Sequence, residues 1–275
     1  MRFKTNQFLI LFFAVSFIYS CGKDQKKDQE TIKETVAKEE WVQLFNGENL
    51  DNWIVKIKGH PLNDNYKNTF RAVDGVLQVN YDEYDTFDSS YGHIYYDKEF
   101  SDYRLRLEYR FTGDQLKDGA GWATRNSGVM LHCQDPETLG LDQDFPVSIE
   151  AQFLGGLSNG EARSTVNVCT PGTNIMMAGE TLTMHCINSS SETYDGDQWV
   201  KVDILVRNDS IIKHMIDGEA VLTYYKPQIG GGNVSGLNKE KWNVKEGTPL
   251  KSGYISLQSE SHPVEFRNIE ILELN

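Results

Sequence analysis

Carboxyl, amide and imidazole side chains alternate with apolar ones in several short segments of this sequence. In residues 148–153, Glu150 and Gln152 alternate with three apolar side chains. Side chains along a β-strand point alternately to opposite faces of a sheet, so this pattern predicts that Glu150 and Gln152 share the face turned away from the core. A carboxyl group beside a bound ligand on that face could act as a general acid or base.

Three other segments alternate in the same way and present polar side chains opposite an apolar set. Those polar side chains are His132, His185, Gln258 and Glu260. The same reasoning assigns Cys133, the neighbour of His132, to the core side of its strand. We predict that a single concave surface is shared by Glu150, His132, Gln152 and Gln258.

Each of these residues also fits a simpler interpretation. A glutamate on the outer face of a strand is commonly only solvated, and a lone histidine in a strand is commonly a surface or packing residue. Arg125 precedes a predicted strand and could simply close a turn. Residues 135–144 carry four carboxylates that could surround a calcium ion, but they lack the regular spacing of a calcium loop, which favours an acidic surface loop.

The elements that must position these residues are predicted to be strands. Residues 103–111 and 200–206 alternate between apolar and polar side chains, and the Asp-Gly pairs at 74–75 and 217–218 favour tight hairpins. No amphipathic helix longer than a few turns is visible. Many short strands with hairpin signals predict an all-β fold, a sandwich of two antiparallel sheets.

The N-terminus has a different character. Residues 8–19 form an apolar run behind Arg2 and Lys4, too short to span a bilayer and placed where the hydrophobic part of a signal peptide belongs. The run ends at Ser20 and Cys21, a pattern typical of a bacterial lipoprotein site at which Cys21 is lipidated. A conventional cleaved signal with an incidental cysteine is the alternative.

This pattern predicts a division of the chain into three parts. Residues 1–21 are the predicted lipoprotein signal peptide, and residues 22–40, which are almost entirely polar, are a flexible tether. Residues 41–275 have a length that suits one large β domain. We expect this domain to lie in the cell envelope, facing the outer membrane or the periplasm and anchored through lipid alone.

Charge and cysteine content limit the partners further. The formal net charge is -13, which argues against nucleic acid or anionic lipid as a partner and favours a neutral ligand. Apart from Cys21 there are three cysteines, so they can form at most one disulfide within the chain. Cys169 and Cys186 flank a loop rich in proline, glycine and asparagine, and we favour that pair over one with Cys133.

Six motifs follow one another along the chain, namely WVQLFNGENLDNW, FRAVDGVLQV, YRLRLEYRF, NSGVMLH, SIEAQFLGG and GYISLQSESHPVEFRNIEIL. Their order resembles that of a known family, the 3-keto-disaccharide hydrolase domain. The resemblance covers essentially the whole predicted domain. It implies a concanavalin-like jelly roll that acts on a sugar oxidised to a ketone at carbon 3. The sequence departs from many members at Glu260, where they carry a histidine.

The resemblance also implies chemistry for the candidate residues. A ketone at carbon 3 acidifies the proton on carbon 2, so a base can remove it while an acid protonates the departing glycosidic oxygen. Glu150 and His132 are the candidate base and acid, in either order. The candidate substrate-binding residues are Gln152, Gln258, Glu260, Arg125, His185 and, for stacking on a sugar ring, Trp122. Polarised donors or a divalent metal, calcium being one possibility, could hold the enolate oxygen.

Two other classes of function fit the same residues. A carbohydrate-binding surface module would use the same architecture without a catalytic pair. An ordinary glycosidase would use two carboxylates, for which Glu150 and Glu260 are the candidates.

Overall fold

The structure is a computed structural model that describes residues 40–231 and 234–274. The described residues form seventeen strands and one short α-helix, α1 (Lys239–Asn243). The strands are β1 (Val42–Gln43), β2 (Trp53–Ile57), β3 (Phe70–Val73), β4 (Val76–Val79), β5 (Gly92–Tyr96), β6 (Asp102–Phe111), β7 (Asn126–Cys133), β8 (Ile149–Leu154), β9 (Asn167–Cys169), β10 (Thr173–Met177), β11 (Glu180–Leu182), β12 (Cys186–Ile187), β13 (Val200–Arg207), β14 (Ile211–Ile216), β15 (Glu219–Ile229), β16 (Tyr254–Ser259) and β17 (Val264–Glu273).

The strands assemble into two antiparallel sheets that enclose one apolar core. The large sheet has the order β11-β10-β15-β14-β13-β6-β17-β4-β3, with β1 paired to β17, and the small sheet has the order β12-β9-β8-β7-β16-β5-β2. Side chains from both sheets meet in the core, where Tyr109 stacks on Phe153 with ring centroids 4.4 Å apart. The predicted all-β jelly-roll sandwich of two antiparallel sheets is confirmed.

The outer face of the large sheet is a solvated surface. In β6 every second side chain is buried, as predicted, and the intervening arginines form ion pairs with carboxylates of neighbouring strands. These pairs include Arg104–Asp203, Arg106–Glu270 and Arg110–Glu265. Solvent-accessible pairs of this kind contribute little to stability.

The predicted hairpins and the predicted disulfide are also present. Asp74 and Gly75 have φ values of 50° and 80°, the paired positive values that a two-residue hairpin turn requires, and they join β3 to β4. Cys169 of β9 is bonded to Cys186 of β12, whereas Cys133 is a free and buried thiol. The favoured disulfide pairing is therefore confirmed.

The predictions for the N-terminus concern residues that the structure does not cover. The predicted signal peptide, the lipidation site Cys21 and all but the last residue of the predicted tether lie outside the described residues. In the part of the chain that is described, no helix has both the length and the apolar character needed to cross a bilayer.

Candidate active site

A pocket of about 370 Å³ lies on the outer face of the small sheet. Strands β7, β8 and β9 supply its floor with Asn126, Glu150, Gln152, Leu154 and Cys169. Connecting segments supply its walls with Trp122, Phe145, Arg163, Pro171, His185 and Glu260, and β12 supplies Cys186. The pocket thus brings together five of the predicted site residues, namely Glu150, Gln152, Glu260, His185 and Trp122.

Glu150 occupies an apolar position on the pocket floor. Its direct partners are Met130 on β7 and Cys169 on β9, so a thioether and the disulfide flank its carboxyl group. A Cβ atom added to Gly128 would lie 2.6 Å from the Glu150 Oε1, so the carboxyl group rests over Gly128 and would have to move if this residue carried a side chain. Glu150 is 6% exposed, and burial raises its pKa to about 8 because a charged carboxylate loses its hydration there.

Glu260, just beyond β16, is the second carboxyl group of the pocket. It is 3% exposed, and its Oε2 has no hydrogen-bond partner among the described residues. Burial raises its pKa well above the ordinary range, and the charge of Glu150 raises it further. Because two buried carboxylates repel each other, the pair keeps at least one proton near neutral pH.

Polar side chains around this pair are positioned by the protein itself. Gln152 accepts a hydrogen bond at its Oε1 from Asn167 at 3.2 Å, which directs the Gln152 Nε2 towards a ligand. Arg163 donates to the carbonyl oxygens of Gly155 at 2.6 Å and Thr124 at 2.8 Å, so its guanidinium group is fixed at the pocket edge. These groups can donate hydrogen bonds to the hydroxyl oxygens of a neutral sugar.

One side of the pocket is aromatic. Trp122 is 56% exposed, and its indole ring lies nearly parallel to the ring of Tyr91, with centroids 6.3 Å apart. Tyr91 also contacts Phe145, with centroids 5.1 Å apart. An exposed indole held by aromatic neighbours is suited to stacking on the apolar face of a sugar ring.

His185 lies at the opposite rim. It directly precedes Cys186, and its carbonyl oxygen accepts a hydrogen bond from the Thr170 backbone at 2.8 Å. Partial burial lowers the pKa of its imidazole, so the ring is neutral at neutral pH. The ring can therefore donate to or accept from a ligand at the rim.

Comparison with known proteins identifies the family. Residues 40–272 match the 3-keto-alpha-glucoside-1,2-lyase-like domain. The chain belongs to this family. No curated protein matches the chain.

Several solved structures are similar to this chain. A provisionally assigned glycosyl hydrolase from Parabacteroides distasonis has 17% identity and a TM-score of 0.50, covering 86% of this chain and 94% of that one. A second such protein from the same organism has 20% identity and a TM-score of 0.49, and the match covers 86% of this chain and 100% of that one. A β-glucanase from Bacillus licheniformis has 12% identity and a TM-score of 0.47, and the match covers 86% of this chain and 98% of that one. At these sequence identities, the similarity bears on the fold alone.

His132 does not reach the pocket, and its predicted orientation is wrong. It has a φ of 47°, and the register between β16 and β7 shifts beside it, so a bulge exchanges the two faces of the strand. Its ring packs edge-on against Tyr103 of the large sheet, and its Nε2 donates to the carbonyl oxygen of Asn208 at 3.1 Å. Cys133, predicted to face the core, instead packs on the outer face with Met130.

Arg125 is also directed elsewhere. Its guanidinium group donates to Asp197 at 3.2 Å and to the carbonyl oxygen of Gly196, and it does not line the pocket. The residue has a φ of 46°, so it serves the turn before β7, as the simpler interpretation expected. Arg163 takes the place at the pocket edge that was predicted for Arg125.

Gln258 lies on the predicted face but beneath the surface. It is fully buried, and neither its Oε1 nor its Nε2 has a hydrogen-bond partner among the described residues. Its direct partner on β5 is His93, which the sequence analysis did not single out. The alternation of residues 92–96 would have placed His93 on the outer face, but only the non-local pairing of β5 with β16 brings it beside Gln258.

The acidic loop at residues 135–144 uses its carboxylates for backbone contacts. Asp135 Oδ1 accepts from the Glu137 backbone at 2.9 Å, and Asp144 Oδ1 accepts from the backbones of Phe145 and Ser235 at 2.8 and 2.9 Å. Across the described residues, no group of three or more histidine, cysteine, aspartate or glutamate side chains could hold a metal ion.

Proposed function

We propose that this protein is an enzyme that cleaves the glycosidic bond of 3-keto glycosides or disaccharides by elimination. The observation that supports it best is the pair of buried carboxyl groups, Glu150 and Glu260, in one pocket with raised pKa values. Such a pair holds a proton on one member while the other is free to accept one. Family membership and the exposed Trp122 support carbohydrate as the substrate class.

The reaction needs one base and one acid. The base removes the proton from carbon 2 of the oxidised sugar, and the electron pair forms an enolate with the ketone at carbon 3. The carbon 1–oxygen bond then breaks as a carbon 1–carbon 2 double bond forms, and the acid protonates the departing oxygen. Water added later to the double bond gives a net hydrolysis.

The electrostatics favour Glu150 as the base and Glu260 as the acid. Glu260 has the larger barrier to ionisation, because it is the more deeply buried of the two, 3% exposed against 6%, and its Oε2 has no hydrogen-bond partner among the described residues. Glu150 therefore loses its proton first. Its raised pKa makes its carboxylate a stronger base than an exposed one, which helps it remove a proton from carbon. Glu260 retains the proton that the leaving oxygen needs.

The deciding experiment offers the purified protein a 3-keto disaccharide and the same disaccharide without the ketone. We expect release of a monosaccharide from the 3-keto compound alone, together with an unsaturated product or its hydrate, followed by NMR. Equal cleavage of the unmodified disaccharide would instead identify a two-carboxylate glycosidase. Binding of either sugar without release would identify a carbohydrate-binding module.

We also propose that the enzyme works in the cell envelope, held by a lipid on Cys21. The support is the sequence pattern of the first 21 residues, which precede the described domain. A domain that follows a polar tether would meet its sugar substrate outside the cytoplasm.

A further inference from the structure

Two buried polar side chains beside the pocket lack hydrogen-bond partners among the described residues. They are His93 of β5, through its Nε2, and Gln258 of β16, through both amide atoms. His93 is 1% exposed and Gln258 is 0% exposed. A buried polar atom without a partner costs free energy, so such atoms commonly have a functional role or a partner from outside the chain.

The strand register brings these two side chains together. His93 and Gln258 are direct partners across β5 and β16, so they lie side by side on the outer face of the small sheet. Neither is hydrogen-bonded to the other. This arrangement is expected of two donors that share an acceptor supplied by a ligand.

The same register relates Gln258 to the proposed base. Leu257 pairs with Val129, and continuing that register places Gln258 opposite Gly128. The Glu150 carboxyl group rests over Gly128, so the base and the Gln258 amide belong to adjacent positions of the face. Neighbouring strands are about 4.8 Å apart, which suits a base and a donor that contact substituents on adjacent carbons of one sugar ring.

We propose that His93 and Gln258 bind the ketone oxygen at carbon 3 of the substrate and hold the enolate oxygen that forms when Glu150 removes the proton from carbon 2. This inference rests on the proposed function and names the groups that recognise the oxidised sugar. No further reactant is needed, because the electron pair of the carbon 2–hydrogen bond moves to the oxygen and the proton moves to Glu150.

The electrostatics suit this role. Burial and the charge of Lys56 lower the pKa of His93 to about 3, so its imidazole is neutral and donates an N–H without giving up a proton. The Lys56 Nζ donates to the carbonyl oxygens of Ile57 at 3.0 Å, His60 at 2.8 Å and Leu141 at 3.2 Å, which fixes a positive charge near His93. That charge favours the enolate over the ketone.

Phe145 contacts both the pocket and one of these donors. Its ring lines the pocket and also packs edge-on against His93, with centroids 6.0 Å apart. Because His93 is closed off from solvent and this ring packs on it, the Phe145 ring must turn aside for the sugar to reach His93. Its return would exclude water from the enolate.

Binding measurements test this inference separately from turnover. In the Glu150→Gln background, which slows consumption of the ligand, calorimetry gives the affinities for a 3-keto glucoside and for the same glucoside without the ketone. We expect a preference for the 3-keto compound, and His93→Phe or Gln258→Met should reduce that preference about three- to tenfold, the effect of one lost hydrogen bond. Affinity for the unmodified glucoside should remain within about twofold.

The control is Tyr95→Phe, which removes another buried polar atom from β5, on the same face as His93 but beside Cys133. It should leave the preference unchanged. If both donor variants keep the full preference, the inference fails while the proposed function stands. If the Glu150→Gln protein shows no preference, the inference and the proposed substrate class both fail. Should His93→Phe not fold, Gln258→Met decides alone.

Discussion

Glu150 and Cys169 are direct partners across β8 and β9, so the Cys169–Cys186 disulfide lies beside the Glu150 carboxyl group. Cys186 directly follows His185 at the opposite rim of the pocket. One covalent bond therefore supplies an apolar neighbour for the proposed base and fixes the rim segment. The disulfide links the stability of the fold to the electrostatics of the site.

Removing the disulfide should lower both stability and turnover. The two cysteines are 17 residues apart, and loop closure of that length contributes about 3 kcal/mol to the free energy of unfolding. We expect the double variant Cys169→Ser, Cys186→Ser to lose about that much in urea unfolding and to turn over substrate more slowly. Cys133→Ser is the control, because it keeps the Cys169–Cys186 disulfide. Its turnover should therefore remain sensitive to reductant. Unchanged turnover after full reduction would contradict a role for the disulfide at the site.

Exchanging each carboxyl group for an amide should distinguish the base from the acid. Glu150→Gln should lower turnover of every 3-keto glycoside by about 10² to 10⁴, the contribution of a positioned proton-transfer group. Glu260→Gln should lower turnover by a similar factor only when the leaving group needs a proton. With a nitrophenyl 3-keto glycoside, whose leaving group departs as an anion, the Glu260→Gln defect should shrink to less than about tenfold.

The control for both variants is Glu161→Gln, which changes an exposed glutamate outside the pocket. Its turnover should match that of the parent on both substrates. A Glu150→Gln protein that keeps more than about a third of parental turnover would remove Glu150 from the mechanism, and equal defects of Glu260→Gln on both substrates would remove its role as acid.

Strand alternation predicted the fold and part of the site, and its failures have local causes. It placed Glu150 and Gln152 correctly because β8 is regular and pairs in register with β7 and β9. It failed at His132 because a bulge exchanges the two faces of the strand there, and the periodicity of the sequence does not reveal a bulge. His93 was missed because its importance depends on pairing with Gln258, which is distant in sequence.

Trp122 should contribute to sugar affinity more than to turnover. Among the described residues, Tyr91 is the only ring that contacts the exposed indole of Trp122. A sugar ring can therefore cover the other face of the indole. We expect Trp122→Ala to raise KM about three- to tenfold, with kcat changed less than about threefold. The control is Tyr225→Ala, an exposed aromatic of the large sheet. A fall in kcat with KM unchanged would contradict a binding role.

The proposed lipid anchor is tested by Cys21→Ser in the full-length chain. Without the thiol no lipid can be attached, so we expect the protein to move from the membrane fraction to the soluble fraction after cell disruption. Metabolic labelling with a fatty acid should mark the parent and not the variant. Cys133→Ser, which leaves Cys21 intact, should stay with the membrane. A Cys21→Ser protein that remains membrane-bound and unlabelled would require another anchor.

The contribution of Glu150 to stability should fall as pH rises. Burial raises the pKa of Glu150 from 4.5 to about 8. Between these values the unfolded chain has lost the proton while the folded protein keeps it. The folded protein therefore binds more protons than the unfolded chain, and the free energy of unfolding declines by up to about 1.4 kcal/mol per pH unit for one group. Below 4.5 both states are protonated and the contribution of this group is constant.

Glu150→Gln removes that dependence, because an amide does not titrate in this range. We expect its free energy of unfolding, measured in urea at pH 5, 6, 7 and 8, to exceed that of the parent by an amount that grows with pH. Glu161→Gln should follow the parent at every pH. The most informative comparison is between pH 5 and pH 7, where Glu150 changes the free energy of unfolding most per pH unit. A difference between Glu150→Gln and the parent that is the same at all four pH values would mean that the folded protein holds Glu150 as a solvated carboxylate, and the proposed base would then lack the raised pKa on which its strength depends.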